Sequence, residues 1–445
     1  MREITIKIDK MAFGGAGVGY ADGKVCFVPF AAPGDLARVR VRSEKRSYLE
    51  AEILELLEPS PLRITPPCPV FGVCGGCNWQ HLPYSTQLEE KQKIFADIMW
   101  RSGRIEPERL EPIKPAPEPF GYRARVQLKV RFAAGEIHIG FYRGGSHFVV
   151  DIPGNCAITH PAINRMLPAL HRLMQIFPEP DKVPQVDVTI GDDGAAVANF
   201  HYIGSNHAKI AGFMQDNRDI LSSVAGIYVQ SGRKITLQKI VGPDTLSYSV
   251  PKGAVSGVPE RRLTFTPGGF SQVNYRQNLA LIATVISWAE LTGKERVLDI
   301  YCGNGNFSIP LADHCGELLG LEEYAPSIND ALLTCQAHGL KNVAFKCSDA
   351  VAGLREIIAM GDTFDLVLLD PPRTGAAEIV HLIPSLKPAK ILYISCDPST
   401  LARDIGTLKG LDYAVIKSLP VDMFPQTYHI ESITLLESLN TRLPS

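Results

Sequence analysis

Arg296-Val297-Leu298-Asp299-Ile300-Tyr301-Cys302-Gly303-Asn304-Gly305-Asn306-Phe307 reads as a buried strand that leaves through two glycines into a helix. Outward from it the pattern repeats. Glu317–Glu322, Val343–Cys347, residues 364–369 and residues 391–394 are short apolar runs, with helical segments between them. Strands alternating with helices predict βαβ units and a doubly wound sheet. A lone Gly-x-Gly is weak, because helix caps and turns use the same residues. The acids strengthen it. Glu322 ends the second strand, where a carboxylate can accept ribose hydroxyls. Asp349 follows the third strand, and Asp370-Pro371-Pro372-Arg373 closes the fourth. All lie at carboxyl ends of strands, the edge where open α/β sheets bind ligands.

This series resembles the S-adenosylmethionine-dependent methyltransferases. The fifth strand runs into Ser395-Cys396-Asp397-Pro398, and Gln426-Thr427-Tyr428-His429-Ile430-Glu431 follows near the C-terminus. A free cysteine is most often a small buried hydrophobe. At this edge it suits a harder task. Carbon 5 of uracil is a poor nucleophile until a thiolate adds to carbon 6. A base must then take the carbon-5 proton so that elimination frees the cysteine. Cys396 fits the first role and Glu431 the second. Asp370 suits either the uracil edge or the cofactor. His429 is expected to donate to Glu431, the alternative being a buried histidine. Arg373 stands where amino-group methyltransferases carry an aromatic, which argues against amine methylation.

With these motifs and Phe270-Ser271-Gln272-Val273-Asn274, the chain resembles the RNA uracil-C5 methyltransferase family, most closely its 23S rRNA branch. The resemblance spans nearly the whole length and is weakest over residues 160–255. It implies that Gln272, Tyr301, Asn306, Glu322, Asp349 and Asp370 line the S-adenosylmethionine site, with Cys396 as nucleophile and Glu431 as base. Tyr301 departs from the usual phenylalanine.

Ten cysteines are too few for a disulfide scaffold. In Cys68-x5-Cys74-Gly75-Gly76-Cys77 three are compactly spaced, and Cys156 is the best fourth ligand. Four thiolates suit zinc or an iron–sulfur cluster. The family resemblance implies a 4Fe-4S cluster. Cys302 lies in the glycine loop, while Cys26, Cys315, Cys335 and Cys347 read as packing residues.

The rest of the chain fills out a multidomain α/β protein. Residues 1–58 carry short strands and glycine turns, the pattern of an OB-type β-barrel, and resemble the RNA-binding TRAM domain. Arg38, Arg40 and Arg42 alternate onto one strand face, which suits either a phosphate backbone or a charge-protected edge strand. Phe13, Tyr20, Phe27, Phe30 and Tyr48 are divided between base stacking and core. Residues 59–260 are expected to form a central α+β iron–sulfur and RNA-binding domain. It carries a second basic strand (Arg123, Arg125, Lys129, Arg131) and a helix at 85–101 that packs on the catalytic domain. Residues 261–445 are expected to form the Rossmann-like class I methyltransferase domain. The net charge of −2 excludes binding of RNA by bulk charge, so local patches must serve. Lacking an apolar leader and any long apolar run, the chain is expected to be a cytoplasmic monomer without membrane contact. The expected activity is methyl transfer to carbon 5 of a uridine in 23S rRNA. The alternatives are the T-loop uridine of tRNA, or an RNA-binding or folding module whose catalysis is secondary.

Overall fold

The computed structural model describes residues 2–232 and 236–441. Strands β1 (Glu3–Lys7), β2 (Lys10–Met11), β3 (Ala16–Ala21), β4 (Lys24–Pro29), β5 (Leu36–Glu44) and β6 (Tyr48–Glu58) form one sheet, ordered β1-β5-β6-β4-β3-β2. It curls until β1 meets β3. A Cβ on Gly19 would lie 2.2 Å from the Lys7 carbonyl oxygen, so only glycine fits this seam. Ile6, Ile8, Val28, Val39 and Leu49 fill the interior. Asp22 and Gly23 both take positive φ, as a tight hairpin with right-handed twist needs.

The expected basic face is largely neutralised. Arg38 pairs with Glu3 and Glu55, Arg40 with Glu3 and Glu52, and Arg42 with Glu52. Nor is β5 an edge strand, since β1 and β6 flank it. Cross-strand glutamates set three residues' worth of charge to rest, which residue-by-residue spacing along one strand cannot reveal. The proline segment after the barrel is likewise tied down. Buried Asp35 accepts from the amides of Ala32 and Ser60 and from the Arg63 guanidinium.

Helix α1 (Tyr84–Gly103) comes next and leaves its neighbours in sequence, packing along a helix of the C-terminal sheet. Ile94, Phe95 and Met99 enter that domain's core, while Leu88 and Ile98 are half-buried. The central sheet gathers β7 (Arg125–Ala133), β8 (Glu136–Tyr142), β9 (Val149–Asp151), β10 (Gln185–Ile190), β11 (Ala196–His201), β12 (Gly226–Gln230) and β13 (Leu237–Val241). Their order is β13-β12-β11-β10-β7-β8-β9, with α2 (Pro161–Gln175) packed against β8 and β10 and α3 (His207–Asp216) beside β13.

β14 (Leu246–Val250) pairs with β15 (Arg261–Phe265), and both bury apolar residues in the core of the C-terminal domain. A boundary at residue 260 therefore cuts a hairpin, because the continuous apolar surface crosses it. After α4 (Tyr275–Ala289), the sheet is built from β16 (Arg296–Ile300), β17 (Glu317–Glu322), β18 (Val343–Cys347), β19 (Leu366–Leu369), β20 (Lys390–Ser395), β21 (Tyr413–Val421) and β22 (Glu431–Ser438). The order β18-β17-β16-β19-β20-β22-β21 is doubly wound, with its switch point at β16 and β19. α5 (Ser308–Leu311), α6 (Ala325–His338), α7 (Ala350–Ala359) and α8 (Pro398–Lys409) complete it. The five read strands are parallel, whereas β22 slots antiparallel between β20 and β21. Among the described residues no helix is long and apolar enough to cross a membrane.

Candidate active site

At the switch point the turn after β16 is bent by three left-handed residues: Tyr301 (φ 69), Gly303 (φ 56) and Gly305 (φ 84). The glycines take this freely, but Tyr301 does so at a cost of about 1–3 kcal/mol, the kind of strain that collects at ligand sites. Glu322 accepts from the amides of Gly303 (3.1 Å) and Tyr324 (2.8 Å), so its carboxylate is held against the turn. Asp349 caps α7, accepting from the Ala352 amide at 3.0 Å. Burial, then the charges of Asp349, Glu378 and Asp404, pushes the Tyr301 hydroxyl up.

Asn306 turns inward. Its amide exchanges hydrogen bonds with Asn278 and receives the Tyr248 hydroxyl at 2.9 Å, all buried. These side-chain partners are its work in the structure: they hold the turn's shape from beneath. Gln272 is half-buried on the segment entering α4, two residues from Asn274, which donates to the Met423 carbonyl. Asp299, at the end of β16, is fully buried. It accepts from Ser308 through one oxygen while the other has no partner, and burial pushes its carboxyl to about 8. Burial likewise raises Asp370 to about 7.

Cys396 stands one residue past β20, beside α8, whose first amides are capped by Asp397. The β20–β22 ladder ends at the pair Ser395 and Ser432, and Cys396 and Glu431 are the residues that directly adjoin that pair. Cys396 is half-buried and Glu431 buried. Burial, then the charges of Glu431 and Asp370, push the thiol up to about 12, and Arg373 opposes this. Burial and Asp370 raise Glu431 too, again with Arg373 opposing. Two carboxyls, a thiol and one cation thus share a small region. His429 does not donate to Glu431 among the described hydrogen bonds. Its ring lies tilted against Tyr428 at 4.3 Å and meets Phe424 edge-on at 5.7 Å, and burial lowers it to about 4. Phe13 of the barrel packs edge-on against the same Tyr428.

Cys68, Cys74, Cys77 and Cys156 line one cavity in the central domain, with Gln80 and Arg123 in its wall. Among the described residues no group of three or more His, Cys, Asp or Glu is gathered closely enough to hold one metal ion. Burial pushes Cys74 to about 11 and Cys77 to about 12, so a nearby cation is needed to make them thiolates. The Gly76 amide donates to the Cys74 Sγ, and a Cβ on Gly75 would lie 2.8 Å from the Tyr142 carbonyl oxygen. Arg123 has a buried Nε without a partner. All ten cysteines are free of disulfides. Cys26, Cys302, Cys315 and Cys335 are buried, but Cys347 is exposed at the end of an edge strand and packs no core.

Residues 1–54 match the TRAM domain model, and residues 84–439 match the tRNA (Uracil-5-)-methyltransferase model. The chain is 35% identical over 441 residues to the 23S rRNA (uracil(1939)-C(5))-methyltransferase RlmD of Alkalilimnicola ehrlichii, covering 97% of this chain and 96% of that one. An uncharacterised RNA methyltransferase of Thermosynechococcus vestitus is 34% identical, with 97% of each chain covered. Among solved structures, the Pyrococcus abyssi tRNA (uracil-54, C5)-methyltransferase in complex with S-adenosyl-L-homocysteine superposes with a TM-score of 0.73. It is 25% identical and covers 97% of this chain and all of its own.

Proposed function

The chain belongs to the tRNA (uracil-5-)-methyltransferase family, and from that premise we propose that it methylates carbon 5 of a uridine in 23S rRNA. The observation that supports the chemistry is that Cys396 and Glu431 directly adjoin Ser395 and Ser432, the pair that ends the β20–β22 ladder at the carboxyl edge of the sheet. The Cys396 thiolate forms a bond to carbon 6, and the pair of the 5,6 double bond moves toward carbon 5 and oxygen 4. Arg373, the local cation, supports the thiolate. S-adenosylmethionine supplies an electrophilic methyl, whose carbon–sulfur bond breaks toward sulfur as carbon 5 takes it. The Glu431 carboxylate then accepts the carbon-5 proton, the double bond re-forms, and the thiolate leaves. Burial, then Asp370, raises the Glu431 carboxyl and Arg373 opposes this, so a cationic methyl donor beside it would favour the carboxylate that the base role needs.

Tyr301, Glu322, Asp349 and Asp370, with Gln272 and Asn306 shaping the pocket, are the residues assigned to S-adenosylmethionine. Glu322 suits the ribose, and Asp349 suits the adenine amine. Cys68, Cys74, Cys77 and Cys156 are assigned to a 4Fe-4S cluster. The four thiols line one cavity, and four thiolates are the donor set such a cluster takes. Its charge would make the buried thiols thiolates.

The substrate assignment follows the relative named for 23S rRNA, which spans the whole chain. A second reading, the T-loop uridine of tRNA, is favoured by the Pyrococcus structure. Incubating the protein with labelled S-adenosylmethionine and, side by side, 23S rRNA fragments and tRNA transcripts separates the two. Label is expected in rRNA, with the site mapped by mass spectrometry. Label confined to tRNA overturns the rRNA assignment.

A further inference from the structure

We propose that Gln87 and Lys91, on α1, are positioning residues that hold the loop delivering Glu431 and join it to the four-cysteine segment. This rests on Glu431 being the base. The loop runs from Asp422 to Ile430, between β21 and β22, and is held mainly from outside its own sheet. Lys91 Nζ donates to Asp422 Oδ1 at 2.6 Å and to the Phe424 carbonyl at 3.1 Å, and both charged side chains are wholly buried. Gln87 makes four hydrogen bonds. Its Oε1 accepts the Gln426 amide at 3.0 Å. Its Nε2 donates to Gln426 Oε1 (2.9 Å), the Trp79 carbonyl (3.1 Å) and the Leu82 carbonyl (3.0 Å).

Gln426 sits at φ 70, a conformation a glutamine holds only when its surroundings dictate it. Its carbonyl accepts the amides of Asn78 (3.0 Å) and Trp79 (3.1 Å). Asn78 directly follows Cys77. The mechanical path from the cysteine cavity to the base is therefore one residue, one hydrogen bond and four loop residues. A buried ion pair is a poor source of stability, since apolar residues of similar volume often do as well. Its worth here is direction: it fixes where the loop starts, and Gln87 fixes its middle.

The base acts after methyl transfer. A displaced Glu431 should leave addition and methyl transfer running while elimination slows, so that methylated RNA stays covalently bound to Cys396. The test compares E431Q, Q87M and the double variant K91M/D422L, each incubated with RNA and S-adenosylmethionine. Denaturing gels measure the trapped adduct, alongside kcat, KM and melting temperature. The expected result for Q87M and the double variant is adduct accumulation with kcat down about tenfold to a hundredfold and KM little changed. The double variant, which removes both charges together, should melt no lower than the parent. Adduct in E431Q but not in the α1 variants overturns the clamp alone, as does a kcat loss that merely tracks melting temperature. No adduct in E431Q overturns the base assignment, and the clamp falls with it.

Discussion

S-adenosylmethionine and S-adenosylhomocysteine differ by one methyl and one positive charge, and the site should feel that difference as a function of pH. Asp370 is raised to about 7 by burial, so a neutral carboxyl and a carboxylate are both populated near physiological pH. Only the carboxylate attracts a sulfonium. Below the folded value the group is protonated and the attraction is lost; above it the attraction is complete. With a value of 7, the ionised fraction rises from about 0.09 at pH 6 to about 0.91 at pH 8. If pairing requires the ionised form, affinity for the cationic ligand rises about tenfold over that interval, or ~1.4 kcal/mol. The neutral product should show little of this. Calorimetric titration of both ligands at pH 6, 7 and 8, in two buffers of different ionisation enthalpy, measures affinity and released protons together. Asp370→Asn should flatten the curve for the methyl donor. Equal pH dependence for the two ligands, or binding without proton release at pH 6, would refute the reasoning.

Three further outcomes follow from the same structure. Asp299, raised to about 8 in the fold against ~3.9 unfolded, contributes stability that is full below pH 4 and lost as pH rises through 8. Asp299→Asn should therefore gain on the parent by about 1.4 kcal/mol per pH unit between pH 5 and 7.5, read from paired denaturation curves; a constant offset would sink the idea. Gly75→Ala pushes a methyl to 2.8 Å from the Tyr142 carbonyl oxygen and 3.1 Å from the Gly144 nitrogen, so protein purified without oxygen should hold less iron and acid-labile sulfide. Full iron content would show that the cysteine loop tolerates the shift. Finally, a Cys396 thiol pushed up to about 12 should alkylate with iodoacetamide far more slowly at pH 8 than free cysteine, and more slowly still in Arg373→Gln. Rapid alkylation without RNA would contradict the shared-acid environment.

The catalytic sheet was legible because its strands are buried on both faces and written as unbroken apolar runs, with each acid at a run's end. Cys396 and Glu431 stand out in the sequence as candidate chemistry, though nothing in their 35-residue separation says that they meet at the end of one ladder. That follows from β22 entering antiparallel beside β20. Long-range polar pairs were not legible at all. Lys91 and Asp422 are 331 residues apart and each reads as a surface charge on its own. At Arg38, Arg40 and Arg42 the spacing leaves open a phosphate-binding face or a charge-protected edge strand; in the fold, glutamates on two neighbouring strands answer them and β5 is not an edge. His429, placed by adjacency beside Glu431, instead joins an aromatic cluster with Tyr428 and Phe424.

The strand order has a consequence for how the protein is made. β22 follows β21 in the chain yet lies between it and β20. During synthesis the edge of β20 stays open until β22 emerges to fill it. A nascent chain that has Cys396 but not yet β22 lacks Glu431, the residue proposed to act with it as base. Insertion of one strand completes the sheet and brings Glu431 to the end of β20 in a single event. On the proposed roles, the means of capturing a uridine and the means of releasing it arrive together.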